Sequence, residues 1–377
     1  MFTKPTVFII GAGASWHYGY PTGETLVTKI IEESQKATHD FRWSDEYGLY
    51  PFWPKYIYEK ENLSPTPNGM QLRIIKDAIE NFTNECRDLS QRLQQVNPLV
   101  IDYFLGHNPT LGKIGKLFIS KIILECESEY EAGGNINRPL AERKKIADDW
   151  YRFIAHKIMD RCSLDELLSN KVHFITFNYD ISLETSLYKT LMSVESFSDD
   201  RKIKEFLSKE RILHMYGHIK EPISKQEKQQ NHYPKGSREH SYFNHNILFN
   251  EAYDASVGIR TIDGSDKDDN NLVFDKAKTI IQEASNIYFL GYGFDERNND
   301  RLGISCLKKR GPTTRRIYFT NFQDRNQINK RAGNAFLQSE SGFLPPQNFL
   351  QQNTFTLDLF EKSSKNVYDA LAWDFDL

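Results

Sequence analysis

Gly11-Ala12-Gly13-Ala14-Ser15 has almost no side chain to keep a ligand away from its backbone, and it follows the apolar run Val7-Phe8-Ile9-Ile10. An amphipathic stretch comes next, Glu24 to Glu33, with Leu26, Val27, Ile30 and Ile31 on one face. Strand, glycine turn and helix together present backbone N–H groups and a helix N-terminus to a phosphate. The dinucleotide fingerprint Gly-x-Gly-x-x-Gly is not completed, because position 16 is Trp, and a tight turn without a ligand is the plain alternative. Four further stretches place polar or bare residues directly after apolar runs. They are Asn178-Tyr179-Asp180, Gly217-His218, Gly291-Tyr292-Gly293 and Thr320-Asn321. An amide, a carboxylate and an imidazole can orient water, hold hydroxyls or move a proton. Each also has an ordinary explanation, since glycines turn chains and Asn or Asp caps a following helix, here from Ser182.

The runs before these stretches predict strands at Val7–Ile10, 172–177, 211–216, 286–290 and 316–320. In an open parallel sheet the ligand crevice lies beyond the carboxyl ends of the strands. A single sheet therefore collects all five motifs on one edge, and the expected fold is α/β, a Rossmann-like parallel sheet. Between the first two strands the spacing turns helical. It predicts helices from Met70 to Gln95, from Gly112 to Glu127 and from Leu140 to Cys162, a helical module inserted over residues 35–165. The sheet domain is then expected over 1–34 and 166–325. Residues 326–377 form an extension packing on it, with a helical aromatic tail around Val367, Tyr368, Leu371 and Trp373. Eight aromatics between Phe41 and Tyr58 read as local packing before a contact surface. Residues 220–243 and 264–271 read as polar loops, with a short helix near 247–256 between them.

Composition narrows the function classes. The chain has 377 residues, 39% hydrophobic and 26% charged, with a net charge of -3, so neither a nucleic-acid-binding balance nor an acidic tail appears. Cys86, Cys126, Cys162 and Cys306 are scattered, which argues against a zinc ribbon or disulfide framework and fits reduced thiols in the cytoplasm. No run approaches a membrane span.

The ordered set Gly11-Ala-Gly-Ala-Ser15 with Gly19-Tyr-Pro-Thr22, Thr176-Phe-Asn-Tyr-Asp180, Tyr216-Gly-His218, Leu290-Gly-Tyr-Gly-Phe294 and Thr320-Asn321 resembles the motif series of the sirtuin superfamily. It looks most like the bacterial phage-defence branch, including the sirtuin-like proteins encoded beside HerA-type ATPases. Val100 to Leu105 and the helix after it resemble that branch's helical insertion. The resemblance spans about residues 5–325 and implies an NAD-binding site. By it, Gly11, Ala12, Gly13, Ala14 and Ser15 cradle the pyrophosphate, and Thr22 sits near the loop covering nicotinamide. Asn178 and Asp180 position the water and the nicotinamide ribose. Gly291 and Gly293 lie near the adenosine ribose, which Asn321 holds, and Tyr216 and Phe294 complete the NAD-contacting set. No metal is implied, because the four-cysteine zinc module of deacylating sirtuins is missing. Those proteins also carry His-Gly where this chain has Tyr216-Gly217, leaving either His214 or His218 to reach the ribose.

The resemblance implies an NAD glycohydrolase that releases nicotinamide and ADP-ribose, starving an infected cell of NAD. Such an activity is lethal if constitutive, so control by homo-oligomerisation or by a HerA-type ATPase partner is expected. Three alternatives stay open: a sensor that binds NAD or ADP-ribose without turnover, a scaffold subunit for a DNA translocase, and ADP-ribose transfer.

Overall fold

A computed structural model of the chain describes residues 1–40, 56, 71–98, 100–131, 149–219, 248–261, 267–307, 315–337, 355–357, 360–375 and 377. The expected α/β fold is present. Strands β1 (Thr6–Ile10), β2 (Val172–Thr176), β3 (Ile212–His214), β4 (Asn286–Leu290), β5 (Arg316–Thr320), β6 (Phe355–Leu357) and β7 (Phe360–Ser363) form one sheet in the order β3-β2-β1-β4-β5-β7-β6. Every pairing is parallel except β6 with β7. The order reverses between β1 and β4, which is where an open α/β sheet forms its ligand crevice.

The runs are largely apolar because both sheet faces are covered, and all five residues of β1 are buried. Register is fixed by a row of rings. Phe174, Phe8, Tyr288 and Tyr318 occupy partnered positions on four adjacent strands, with centroids 5.4, 5.0 and 4.5 Å apart in turn. A one-residue slip would put every ring on the other face. Each such ring pair contributes about 0.5–1.5 kcal/mol beyond its buried area. The carboxyl ends consequently finish level: Ile10 pairs with both Thr176 and Leu290.

The chain divides into two compact units, the first comprising Met1–Tyr20, Gly133–Tyr216 and Asp268–Leu377, the second Pro21–Ala132 and Gly217–Lys267. The first contains the sheet, the helices Trp150–Met159, Ser182–Met192, Glu296–Leu302 and Asn326–Leu337, and nearly all of Lys267–Glu283. The second is helical, built on Gly23–Asp40, Gln71–Val96, Ile101–His107, Pro109–Glu131 and a helix over 248–256. This division differs from the expected boundaries. Gly23–Asp40 groups with the other helices because it packs against Gln71–Val96 and Pro109–Glu131. Trp150–Met159 groups with the sheet. The extension beyond 326 supplies strands β6 and β7 before its expected helical tail, Val367–Asp369 continuing to Asp374, and Phe375 packs 5.1 Å from Tyr318.

In the second unit the buried Lys121 ammonium lies 2.6 Å from both Glu33 and Glu125, so its charge is paired twice. The helix Lys267–Glu283 takes in residues expected as loop. The aromatic segment 41–58, apart from Tyr56, and the loop 220–243 lie outside the described residues. No helix among the described residues is long and apolar enough to cross a membrane.

His173 on β2 reports on folding. Burial first, then Arg211 and Lys276, lowers its pKa from 6.5 to about 4. The folded state therefore disfavours the protonated ring, so this residue's contribution is complete above 6.5 and is lost as pH falls toward 4. Thermal unfolding across that window should show falling stability toward acid, and His173→Gln should flatten this limb.

Candidate functional site

The β1 and β4 turns are pressed together. The Gly11 amide donates to the Leu290 carbonyl (3.0 Å) and the Gly13 amide to the Gly291 carbonyl (3.1 Å). A Cβ on Gly11 or Gly13 would lie 2.6 or 2.9 Å from that Gly291 oxygen, and one on Gly291 would lie 2.0 Å from the Ala14 nitrogen. Gly291 also has φ +57°, a left-handed conformation that favours glycine. These glycines are thus required first by each other. The Ala14 and Ser15 amides donate back to Gly11 and Ala12, in a single 3-10 turn. A second turn, Trp16–Tyr18, follows before the expected helix begins at Gly23. A diphosphate at this turn would have to compete with carbonyls that already hold four of its amides.

Ser15 and Asn178 lie behind this turn, and their orientation can be read from hydrogen counts. Asp180 Oδ1 accepts from both the Ser182 amide (3.1 Å) and the Ser182 hydroxyl. Having used its only hydrogen, Ser182 Oγ must accept from Tyr151 Oη, 2.7 Å away. Tyr151 must then accept from Ser15 Oγ at 3.2 Å, and Ser15 in turn from Asn178 Nδ2 at 2.8 Å. The chain runs one way, from Asn178 to Asp180, and it fixes which end of the Asn178 amide is oxygen. Asn178 Oδ1 faces away from Ser15 and has no hydrogen-bond partner, although the residue is only 8% exposed. A buried unsatisfied carbonyl costs about 1–3 kcal/mol, which a water or ligand hydroxyl would relieve.

The chain is braced around Tyr151. Trp150 Nε1 donates to the Ala14 carbonyl at 2.9 Å, and Tyr18 stacks on Tyr151 with centroids 4.3 Å apart. Tyr18 Oη donates to Asp149, the N-cap of the Trp150–Met159 helix. Burial, then Tyr151 and Asp149, raise the Tyr18 pKa far above its ordinary value and keep it a donor. Asp180 is fully enclosed, and burial raises its pKa against the two Ser182 hydrogen bonds that lower it.

No protein-family model matches the chain, and no curated protein is significantly similar to it.

The other expected residues separate into three groups. His214 sits behind Asn178 with both nitrogens occupied: Nδ1 donates to the Asn178 carbonyl (3.1 Å) and Nε2 meets the Glu184 carboxylate. Burial lowers its pKa, but the Glu184 charge and hydrogen bond, with the Asn178 carbonyl and Asp180, outweigh burial and leave it raised. The ring so held has no free lone pair with which to take a proton from water.

Tyr216, Asn321 and Phe294 are engaged within the fold. Tyr216 Oη donates to Asn298. Asn321 Nδ2 donates to the Arg325 carbonyl (3.0 Å) and to Asn329 (2.7 Å) while its oxygen accepts from the Arg325 amide. Phe294 is a core ring against Phe289, Phe319 and Phe336. Gly293 faces open space, and Trp16 and Phe322 stand exposed with rings 6.3 Å apart.

Thr22 and His218 belong to the second unit. The strand expected over 211–216 is shorter: β3 stops at His214, and Gly217 turns with φ +72°. Among the described residues no group of three or more His, Cys, Asp or Glu is placed to hold a metal ion.

Ser182, Tyr151 and Glu184 were not singled out from the sequence. The signals were slight: an Asp149 cap before Trp-Tyr, and a carboxylate in the first turn after Asn-Tyr-Asp.

Gly291→Ala must strain the backbone and separate the two turns. It should lower unfolding stability by about 3 kcal/mol in urea titration, whereas Gly293→Ala should change it by less than about 1 kcal/mol.

Proposed function

We propose that this chain is an NAD glycohydrolase, with Asn178 as the residue that orients the attacking water. The observation that carries the reading is the buried, unpartnered Asn178 Oδ1 at the carboxyl edge of the sheet, beside the glycine turn. Water adds to the anomeric carbon of the nicotinamide ribose as the carbon–nitrogen bond breaks, its electron pair returning to the pyridinium nitrogen. The water's second proton leaves to solvent, giving nicotinamide, ADP-ribose and H⁺. The leaving group departs neutral, so no strong acid is needed. What helps is one water held in line, away from bulk solvent. A carbonyl acceptor such as Asn178 Oδ1 suits that task, and Asp180, at the other end of the hydrogen-bond chain, holds that carbonyl in its orientation. Use in anti-phage defence, with a HerA-type ATPase or self-assembly as the gate, rests on the motif resemblance.

A second reading has one observation in its favour. His214 has both nitrogens committed and Tyr216 replaces the family's histidine, which suits binding of NAD or ADP-ribose without turnover.

The test is NAD consumption by the full chain, alone and with a HerA-type ATPase. Asn178→Ala should reduce the rate about 100-fold or more while the protein stays folded. A wild-type chain that binds NAD tightly but never releases nicotinamide would leave the sensor reading in place of the enzyme.

A further inference from the structure

A second buried polar group lies next to Asn178 and takes no part in the Ser15–Asp180 chain. Glu184, in the first turn of the Ser182–Met192 helix, is 1% exposed, and its Oε1 meets His214 Nε2. Its Oε2 is buried without a partner. His214 closes β3, and its Nδ1 donates to the main-chain carbonyl of Asn178 itself. Asn178 is therefore gripped twice: by its side chain through Ser15, and by its main chain through His214 and Glu184. The second grip ties three segments together, the end of β3, the β2–helix loop and the helix that follows. Burying an ionisable pair is costly, and the fold gains no obvious packing from it that an apolar pair would not supply. A specific positioning task accounts for it.

We propose that Glu184 and His214 form a positioning dyad that holds the Asn178 main chain, so that Asn178 Oδ1 points at its ligand. The inference rests on the proposed hydrolase reading for its effect on turnover, but its geometric content stands apart from it. Glu184 on the helix and Asp180 on the loop act on the ring electrostatically. Protonated, the ring donates at both nitrogens, one to a carbonyl and one to a carboxylate. Once it loses a proton, the remaining one stays on Nε2 toward the carboxylate, so an Nδ1 lone pair faces the Asn178 carbonyl and the grip on the main chain is lost. Because the His214 pKa is raised above 6.5, the grip persists through that value and is lost as pH rises further.

Two readouts test this. In the first, side-chain amide resonances of the ¹⁵N-labelled full chain are followed, with Asn178 assigned by its disappearance in Asn178→Asp. The Asn178 amide should exchange slowly in wild type and in Glu184→Gln, which keeps a hydrogen-bonding partner for the ring. It should lose that protection in Glu184→Ala and His214→Ala. In the second, kcat for NAD should fall about 100-fold in Glu184→Ala with KM little changed, and Glu184→Gln should restore most of it. The alkaline fall in wild-type kcat should move to lower pH in Glu184→Gln. Unchanged Asn178 protection in both alanine variants overturns the dyad, whatever the turnover. If an alanine variant fails to fold, Glu184→Gln still decides: a His214 ring that titrates alike in wild type and Glu184→Gln overturns it. A wild type that does not consume NAD would overturn the hydrolase reading alone, leaving the resonance test to judge the dyad.

Discussion

The site depends on the direction of one hydrogen-bond chain. Asp180 can only accept from Ser182, and from that point every hydroxyl has a single hydrogen to give. The sequence of donors through Tyr151 and Ser15 has no freedom left, and its far end sets the Asn178 amide with nitrogen toward Ser15 and oxygen away from it. Asp180 is not the cap of the helix that follows, whose N-cap is Ile181. Its buried carboxyl orients a group that it does not touch. The same burial that raises its pKa keeps bulk water from offering alternative donors.

That chain is held in place by the sheet. The rings Phe174, Phe8, Tyr288 and Tyr318 lock four strands in register, so β1, β2 and β4 end level. Level ends let Gly291 press on Gly11 to Ala14, and the compressed turn delivers Ser15 to Asn178. Packing and polar order are thus one construction. A register slip would remove the chain's first acceptor along with the core rings.

Much of this was legible in the sequence. Five strands and their polar endings follow from apolar runs stopped by Gly, Asn or Asp, because a strand buried on both faces has no other pattern. The uses of those endings were harder to read. Gly11, Gly13 and Gly291 look like a ligand cradle, but close approach between two turns selects glycine equally well, and only three-dimensional distance separates the two demands. Asn321 looks like a ribose ligand, yet its amide hydrogens go to Arg325 and Asn329, a choice that depends on a helix beginning five residues later. Tyr151 and Ser182 read as ordinary helical positions, since nothing local announces that two helices far apart in sequence share one hydrogen-bond chain. Strands β6 and β7 are only three and four residues long, too short for periodicity to carry much signal.

The most direct test of the account is a crystal structure of the full chain with ADP-ribose, which contains the reacting sugar but no bond left to cleave. The ribose should lie at the carboxyl edge of the sheet. Asn178 Oδ1 should accept from a sugar hydroxyl or from a water lying against the anomeric carbon, with its amide nitrogen still on Ser15. ADP-ribose bound away from Asn178, with Oδ1 satisfied by a water sealed inside the fold, would contradict it.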